Sequence, residues 1–240
     1  MSTEFAGRIV LVAGGTGGLG RAVSRAFLDA GATVVVTYRT RAELDALIVA
    51  AGTAAARLDG READVTREAD ARTLIADIVT QHGRLDALVN AVGGYTGGAK
   101  LWDVAPDALD RMLALNLRSG HALLRAAVPA MLNQGQGAIV NIAAKAGVDP
   151  PGGAAVYAAS KAAALALVAS LAAELAGTGV RVNSVLPSII DTEANRKAMP
   201  AANFAAWPKP EDIARVIRFL CSDDAKVIHG AAIPVYGNAG

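Results

Sequence analysis

Several ingredients are scarce in these 240 residues, and each scarcity closes off a class of protein. The single cysteine, Cys221, cannot form a disulfide within the chain, which argues against a stapled secreted scaffold and fits a reducing compartment. Its plain reading is a small buried hydrophobe. The three histidines, His82, His121 and His229, show no ligand-like spacing, so no metal site is expected. Neither sign of charge is in excess. With 23 lysines and arginines against 22 aspartates and glutamates, the net charge of +1 lacks the basic surplus of a nucleic-acid or anionic-membrane binder. Met1 to Arg8 carries no charged-then-apolar leader pattern, because Glu4 and Gly7 interrupt it. The most apolar stretch, Ala162 to Ala173, is shorter than the roughly 20 residues needed to span a bilayer. The expectation is a soluble, cytoplasmic protein with a small-molecule substrate and neither a nucleic-acid nor a membrane partner.

What is abundant is apolar residues, at 53%, and glycine, at 25 residues. A chain of this length buries roughly 70–75% of its unfolded surface, enough for a core without staples. Apolar runs and helical stretches alternate throughout. Strands are expected at Ile9–Ala13, Thr33–Thr37, Ala54–Leu58, Asp86–Asn90, Ala138–Ile142, Arg181–Leu186 and Ala232–Tyr236. Helices are expected at Arg21–Ala30, Arg41–Ala51, Arg67–Gln81, Pro106–Leu132, Val156–Ala176 and Pro210–Leu220, with a looser stretch from Pro187 to Pro208. Continuous apolar strands separated by helices imply an α/β fold: one doubly wound Rossmann domain over 1–240, with a seven-stranded parallel sheet and helices on both faces. Ligands bind such sheets at the strands' carboxyl edge.

A glycine cluster, Gly14-Gly15-Thr16-Gly17-Gly18-Leu19-Gly20, follows the first strand. Glycines there permit a tight turn, let backbone N–H groups approach a pyrophosphate, and aim a helix N-terminus at that anion. Gly15, Gly17 and Gly20 fit G-x-G-x-x-G, and Gly14, Gly18 and Gly20 fit a wider G-x-x-x-G-x-G. Strand two ends in Thr37-Tyr38-Arg39-Thr40-Arg41, with no carboxylate before Glu43. The planar, permanently charged fork of Arg39 suits a 2′-phosphate, so NADP(H) is favoured over NAD(H).

Tyr157 and Lys161, four residues apart, share one face of the alanine-rich helix. An ammonium beside a phenol stabilises the phenolate, so the pair is expected to lower the tyrosine's pKa and fit it for general-acid work.

With these residues in view, the chain resembles the short-chain dehydrogenase/reductase family over essentially its whole length. The resemblance rests on Gly14, Gly18 and Gly20, Asp64-Val65, Asn90-Ala91-Val92-Gly93, Asn116, Tyr157 and Lys161, and Pro187 with Thr192. It implies that Gly14, Thr16, Gly17, Gly18, Leu19 and Gly20 cradle the pyrophosphate, and that Asp64 and Val65 border the adenine. Asn90, Ala91 and Gly93 would run along the cofactor, with Pro187, Ile190 and Thr192 beside the nicotinamide carboxamide. Tyr157 would be the catalytic acid, Lys161 would bind the ribose and assist it, and Asn116 would hold a water in a proton relay. Assembly as a homodimer or homotetramer is implied too.

The family's catalytic serine after strand five is replaced by Ala144, within Asn141-Ile142-Ala143-Ala144-Lys145. Losing one such donor costs about 10²–10³ in rate, which directs attention to strongly electrophilic acceptors. Segments at Val92–Lys100, Ile142–Ala146 and Asp191–Pro200, with Phe204 and Trp207, look like the quinonoid dihydropteridine reductases. That makes a quinonoid dihydropterin the expected substrate. A carbonyl reductase of keto-ester or 3-oxoacyl type that manages without the serine is the alternative, and a silent NADP(H)-binding sensor the second. Tyr95, Ala144, Lys145 and Trp207 are the expected substrate residues. Tyr95 would stack on a flat ring, Lys145 would replace the serine electrostatically, and Trp207 would form part of a lid over about 188–208.

Overall fold

The structure, a computed structural model, describes residues 3–238; Met1, Ser2, Ala239 and Gly240 lie outside the described residues. The first strand, β1 (Ile9–Ala13), is fully buried, as an unbroken apolar pentapeptide in a covered sheet requires. The chain continues through α1 (Gly18–Asp29), β2 (Thr33–Tyr38), α2 (Arg41–Ala51), β3 (Leu58–Glu62), α3 (Glu68–His82) and β4 (Ala87–Asn90). It then forms α4 (Ala108–Leu113), α5 (Ser119–Gln134), β5 (Gly137–Ile142), α6 (Ala155–Glu174), β6 (Val180–Pro187), α7 (Glu193–Ala198), α8 (Pro210–Cys221) and β7 (Ala232–Val235).

All seven strands lie parallel in one sheet, in the order β3-β2-β1-β4-β5-β6-β7, as the α/β alternation implied. The order reverses between β1 and β4, where Ala13 pairs with Asn90 and the loops after the two strands part to opposite faces. One apolar layer joins Phe27 of α1 and Ile217 of α8 to Val10 and Val36 of the sheet. The opposite layer joins Ile78 of α3, Leu123 of α5 and Val168 of α6 to Leu11 and Leu88.

The structure departs from the sequence expectation in three elements. Residues Gly52–Arg57 form a 3₁₀ turn, so the third strand starts at Leu58, where the expectation had it end. The single long helix expected from Pro106 to Leu132 begins at Ala108 and is broken at Ala114–Arg118 by a π-helical turn between α4 and α5. The looser stretch after β6 contains α7, capped by the side chain of Thr192, which accepts from Asn195 N–H at 3.2 Å. The helix expected at Val156–Ala176 is α6, Ala155–Glu174, which carries both Tyr157 and Lys161. Its buried face, including Val156, Lys161, Ala164 and Val168, packs toward β6 and the π turn.

Candidate active site

Four loops at the carboxyl edge of the sheet build the site, and the glycine loop after β1 is the most constrained. Gly14 sits at φ +74°, and its N–H donates to Thr37 Oγ1 at 2.8 Å. A Cβ on Gly20 would lie 2.0 Å from the Gly14 carbonyl oxygen, so this crossing closes only without a side chain. Helix α1 begins at Gly18 with Gly17 before it, no capping side chain and no acidic residue in its first turn. The first-turn N–H groups of Gly18, Leu19 and Gly20 thus carry partial positive charge without a side-chain acceptor, which fits a pyrophosphate.

A cleft leads from this loop. Gly14, Thr16, Gly17, Arg39, Asp64, Val65, Ala91 and Gly93, all expected cofactor residues, line it together. Arg39 is exposed at the end of β2, while Asp64 is held well below the usual carboxylate range by hydrogen bonds from Thr66 and by the charges of Arg67 and Arg39. Thr16 Oγ1 donates to Glu43 Oε2 at 3.1 Å, bringing a carboxylate to the same cleft. Glu43 and Thr37 had drawn no role from the sequence. Thr37 was findable as the lone hydroxyl near the end of the otherwise apolar run Val34-Val35-Val36.

The remaining expected cofactor residues surround the cleft. Leu19 and Gly20 are buried in the first turn of α1, and Gly18 faces Thr192, whose Cγ2 would be 3.0 Å from a Cβ on Gly18. Pro187 closes β6, and Ile190 accepts from Asn195 Nδ2 at 2.8 Å. Asn90 does not face the cleft. It is buried, donates to Asn141 Oδ1 at 3.0 Å and accepts from Val92 N–H at 3.2 Å, so it shapes the loop after β4.

Lys161 is 5% exposed, and its Nζ donates to the Ile142 carbonyl at 2.8 Å. Burial pushes its pKa down to about 8. Burial, with a contribution from Tyr95, pushes the Tyr157 phenol up to about 12, opposite to the expected depression. The four-residue spacing does place both on one helix, but desolvation of each charged form sets the direction of both shifts. Tyr157 is therefore held in the protonated form that an acid must have.

Asn116 stands in the π turn and is 3% exposed. Its Oδ1 accepts from Gly94 N–H at 2.9 Å, while Nδ2 donates to Gly94 O at 3.0 Å and Ser160 Oγ at 2.9 Å. Both polar ends of this side chain thus contact protein groups, and Oδ1 keeps a second lone pair. Ser160, which in turn donates to the Tyr157 carbonyl at 2.7 Å, drew no role from the sequence although it interrupts an alanine-rich helix.

The expected substrate residues divide. Tyr95 meets Tyr157 edge to face, ring centroids 4.9 Å apart. Ala144 is 7% exposed and presents a methyl group after β5. Lys145 is turned elsewhere: its Nζ lies 3.5 Å from Asp149 Oδ2 and 5.5 Å from the Tyr236 ring, so its charge is already partnered. Trp207 is 8% exposed and packs on Phe204 at 5.1 Å, making it a support beneath the 188–208 segment and no lid surface. Among the described residues no group of acidic, histidine or cysteine side chains has metal-binding geometry.

The family model described as short chain dehydrogenase matches residues 8–203. The chain is 31% identical over 239 residues to the 3-oxoacyl-[acyl-carrier-protein] reductase FabG of Thermotoga maritima, covering 96% of this chain and 97% of that protein. It is 33% identical over 243 residues to the 4-formylbenzenesulfonate dehydrogenase TsaC1/TsaC2 of Comamonas testosteroni, covering 96% of each. Among solved structures, ElxO with NADP bound superposes with a TM-score of 0.91 at 27% identity, covering 96% of this chain and 97% of that one. This chain belongs to the short-chain dehydrogenase/reductase family. It is an NAD(P)-dependent oxidoreductase with the family's Rossmann-like sheet.

Proposed function

We propose that this single-domain protein is a cytoplasmic, NADPH-dependent reductase of a small carbonyl compound. The observation that carries this reading is the Tyr157 phenol one helical turn from the buried Lys161, whose Nζ lies beside Gly93 of the glycine-lined cleft. A nicotinamide cofactor held in that cleft would supply the hydride and its two electrons to the carbonyl carbon, leaving the C=O π pair on the oxygen. Tyr157 gives its proton to that oxygen. Lys161 balances the phenolate left behind and holds the ribose hydroxyls. Gly14, Thr16 and Gly17, with the N–H groups of Gly18, Leu19 and Gly20, hold the pyrophosphate. Arg39 takes the 2′-phosphate, and Asp64 and Val65 border the adenine. Pro187, Ile190 and Thr192 would border the nicotinamide. The catalytic and aldehyde- or oxoacyl-related names of the relatives support a carbonyl acceptor, and the NADP-bound neighbour supports the choice of cofactor.

A second reading, reduction of a quinonoid dihydropterin, is favoured by Ala144, because an acceptor already strongly electrophilic tolerates the missing hydroxyl. Assembly as a homodimer or homotetramer belongs to the proposal. The exposed alanines of α6, Ala159, Ala162, Ala166 and Ala169, give another copy a smooth face, and sedimentation at micromolar protein tests it.

The deciding assay is NADPH oxidation with a β-keto ester and, in parallel, with freshly generated quinonoid dihydropterin, each repeated with NADH. Keto-ester turnover that falls at least 100-fold in Tyr157→Phe is the expected result. Turnover of the pterin alone selects the second reading. Cofactor binding without any turnover selects a sensor and rejects both.

A further inference from the structure

The catalytic pair lies beside a position where a hydroxyl is missing and a second phenol is near. Ile142 receives the Lys161 ammonium, and Gly147 lies against the same helix, where a Cβ would come 3.1 Å from the Lys161 carbonyl carbon. Ala144, between them, is thereby held along the Tyr157–Lys161 turn with only a methyl group to offer. Lys145 has turned to Asp149 and Tyr236 and supplies no replacement.

The loop after β4 brings the second phenol. At Gly93 a Cβ would stand 3.3 Å from Lys161 Nζ, so the loop starts against the ammonium. Asn116 grips Gly94 through both its N–H and its C=O. Tyr95 follows and lays its ring on Tyr157 at 4.9 Å with an interplanar angle of 72°. Farther on, Gly98 adopts φ +90° and donates to the Gly153 carbonyl at 2.9 Å, tying the loop to the turn that leads into α6. Gly97 leaves room for the phenol: a Cβ there would lie 2.1 Å from the Tyr95 oxygen. The Tyr95 ring is held from both sides, yet the residue is 67% exposed and its hydroxyl has no hydrogen bond among the described residues.

We propose that the Tyr95 O–H is the site's second hydrogen-bond donor, directed at the same acceptor oxygen that Tyr157 protonates, in the role that Ala144 cannot fill. The inference rests on the hydride-transfer reading above. Tyr95 transfers no proton. It donates a hydrogen bond that strengthens as negative charge builds on the oxygen, so it acts on the rate more than on ground-state binding.

The test is a cycle of Tyr95→Phe, Ala144→Ser and the double variant, with cofactor binding followed by NADPH fluorescence to show that each is folded. For keto-ester reduction, Tyr95→Phe is expected to lower kcat 30- to 300-fold with KM changed less than threefold. In that background Ala144→Ser is expected to restore at least tenfold. A kcat within twofold in Tyr95→Phe overturns the proposal. So does a loss that Ala144→Ser leaves unrepaired, since that marks packing on Tyr157 and not donation. Isobutyramide, a carbonyl compound that cannot be reduced, gives a readout independent of turnover. Its binding to the NADPH complex is expected to weaken at least fivefold in Tyr95→Phe and to recover in the double variant; equal binding, or none in the unmodified protein, overturns the proposal. Failure of the hydride-transfer reading shows separately, as activity that survives Tyr157→Phe.

Discussion

Asn116 holds Gly94 by both of its backbone polar groups, a clamp formed by one side-chain amide in a π-helical turn upon a loop 22 residues earlier. The π turn makes this possible, because the extra residue in that turn re-aims a side chain that a regular helix would direct elsewhere. Since the clamp and the Ser160 bond are buried, losing them leaves polar groups unsatisfied. Asn116→Ala is expected to cost about 2–3 kcal/mol, which lowers the melting temperature by about 5–10 °C for a chain of this size. Activity should fall along with it, because Tyr95 is then unmoored. Calorimetry and keto-ester kinetics on one preparation check both outcomes.

Lys161 sets a limb in the pH profile. Its pKa in the folded protein is pushed down to about 8 by burial, whereas an unfolded lysine keeps its ordinary value near 10.5. Its protonated form is therefore the one that folding disfavours, so stability linked to this group is present above the unfolded value and is lost as pH falls through about 8. Function runs the other way. The kcat/KM for NADPH is expected to decline above about pH 8 as the ammonium loses its proton, and Lys161→Arg should move that limb to higher pH. A flat profile from pH 7 to 9.5 would contradict this.

The glycine loop separates shape from binding. Gly20→Ala must push a methyl group to 2.0 Å from the Gly14 carbonyl, so it should lower the melting temperature sharply and abolish cofactor binding. At Gly17 the nearest atom to a new Cβ is 3.5 Å away, an ordinary contact. Gly17→Ala should keep the melting temperature within a few degrees while weakening NADPH at least tenfold, because the methyl group faces the cleft. Differential scanning and fluorescence titration of the two variants distinguish these results.

The proposed preference for NADPH turns on Arg39. Its guanidinium shares the cleft with Glu43 and Asp64, so it is the group there that would favour a 2′-phosphate while two carboxylates would oppose one. Arg39→Ala is expected to weaken NADPH 10- to 100-fold and NADH less than threefold. Equal losses for both cofactors would show that Arg39 reads no phosphate.

The seven strands and the glycine loop were legible in the sequence because each rests on short-range pattern: unbroken apolar runs for covered strands, and clustered glycines where a turn meets a helix. The third strand was misplaced by four residues because Thr53-Ala54-Ala55-Ala56 reads equally as helix or strand, and the structure makes it a 3₁₀ turn. The π turn at Ala114–Arg118 left no mark, since a single extra residue per turn does not disturb apolar periodicity enough to be seen. At the site, Tyr157 and Lys161 were found by their spacing, but the direction of the tyrosine's shift was not, because burial is a property of the assembled fold. The contacts of Lys145 and Trp207 were hidden for the same reason. Their partners, Asp149 with Tyr236 and Phe204, settle where they point, and Tyr236 lies 91 residues from Lys145.

The last strand has a consequence for how copies of the chain can meet. Ala231 accepts from Ser184 N–H at 2.8 Å, so its polar groups face β6, and strand alternation turns those of Pro234 outward. Proline has no N–H to give, so this rim offers a neighbouring molecule a ladder with a donor missing at its middle. Two copies brought edge to edge here would meet across that gap, which weakens strand addition and with it any open-ended growth along this rim.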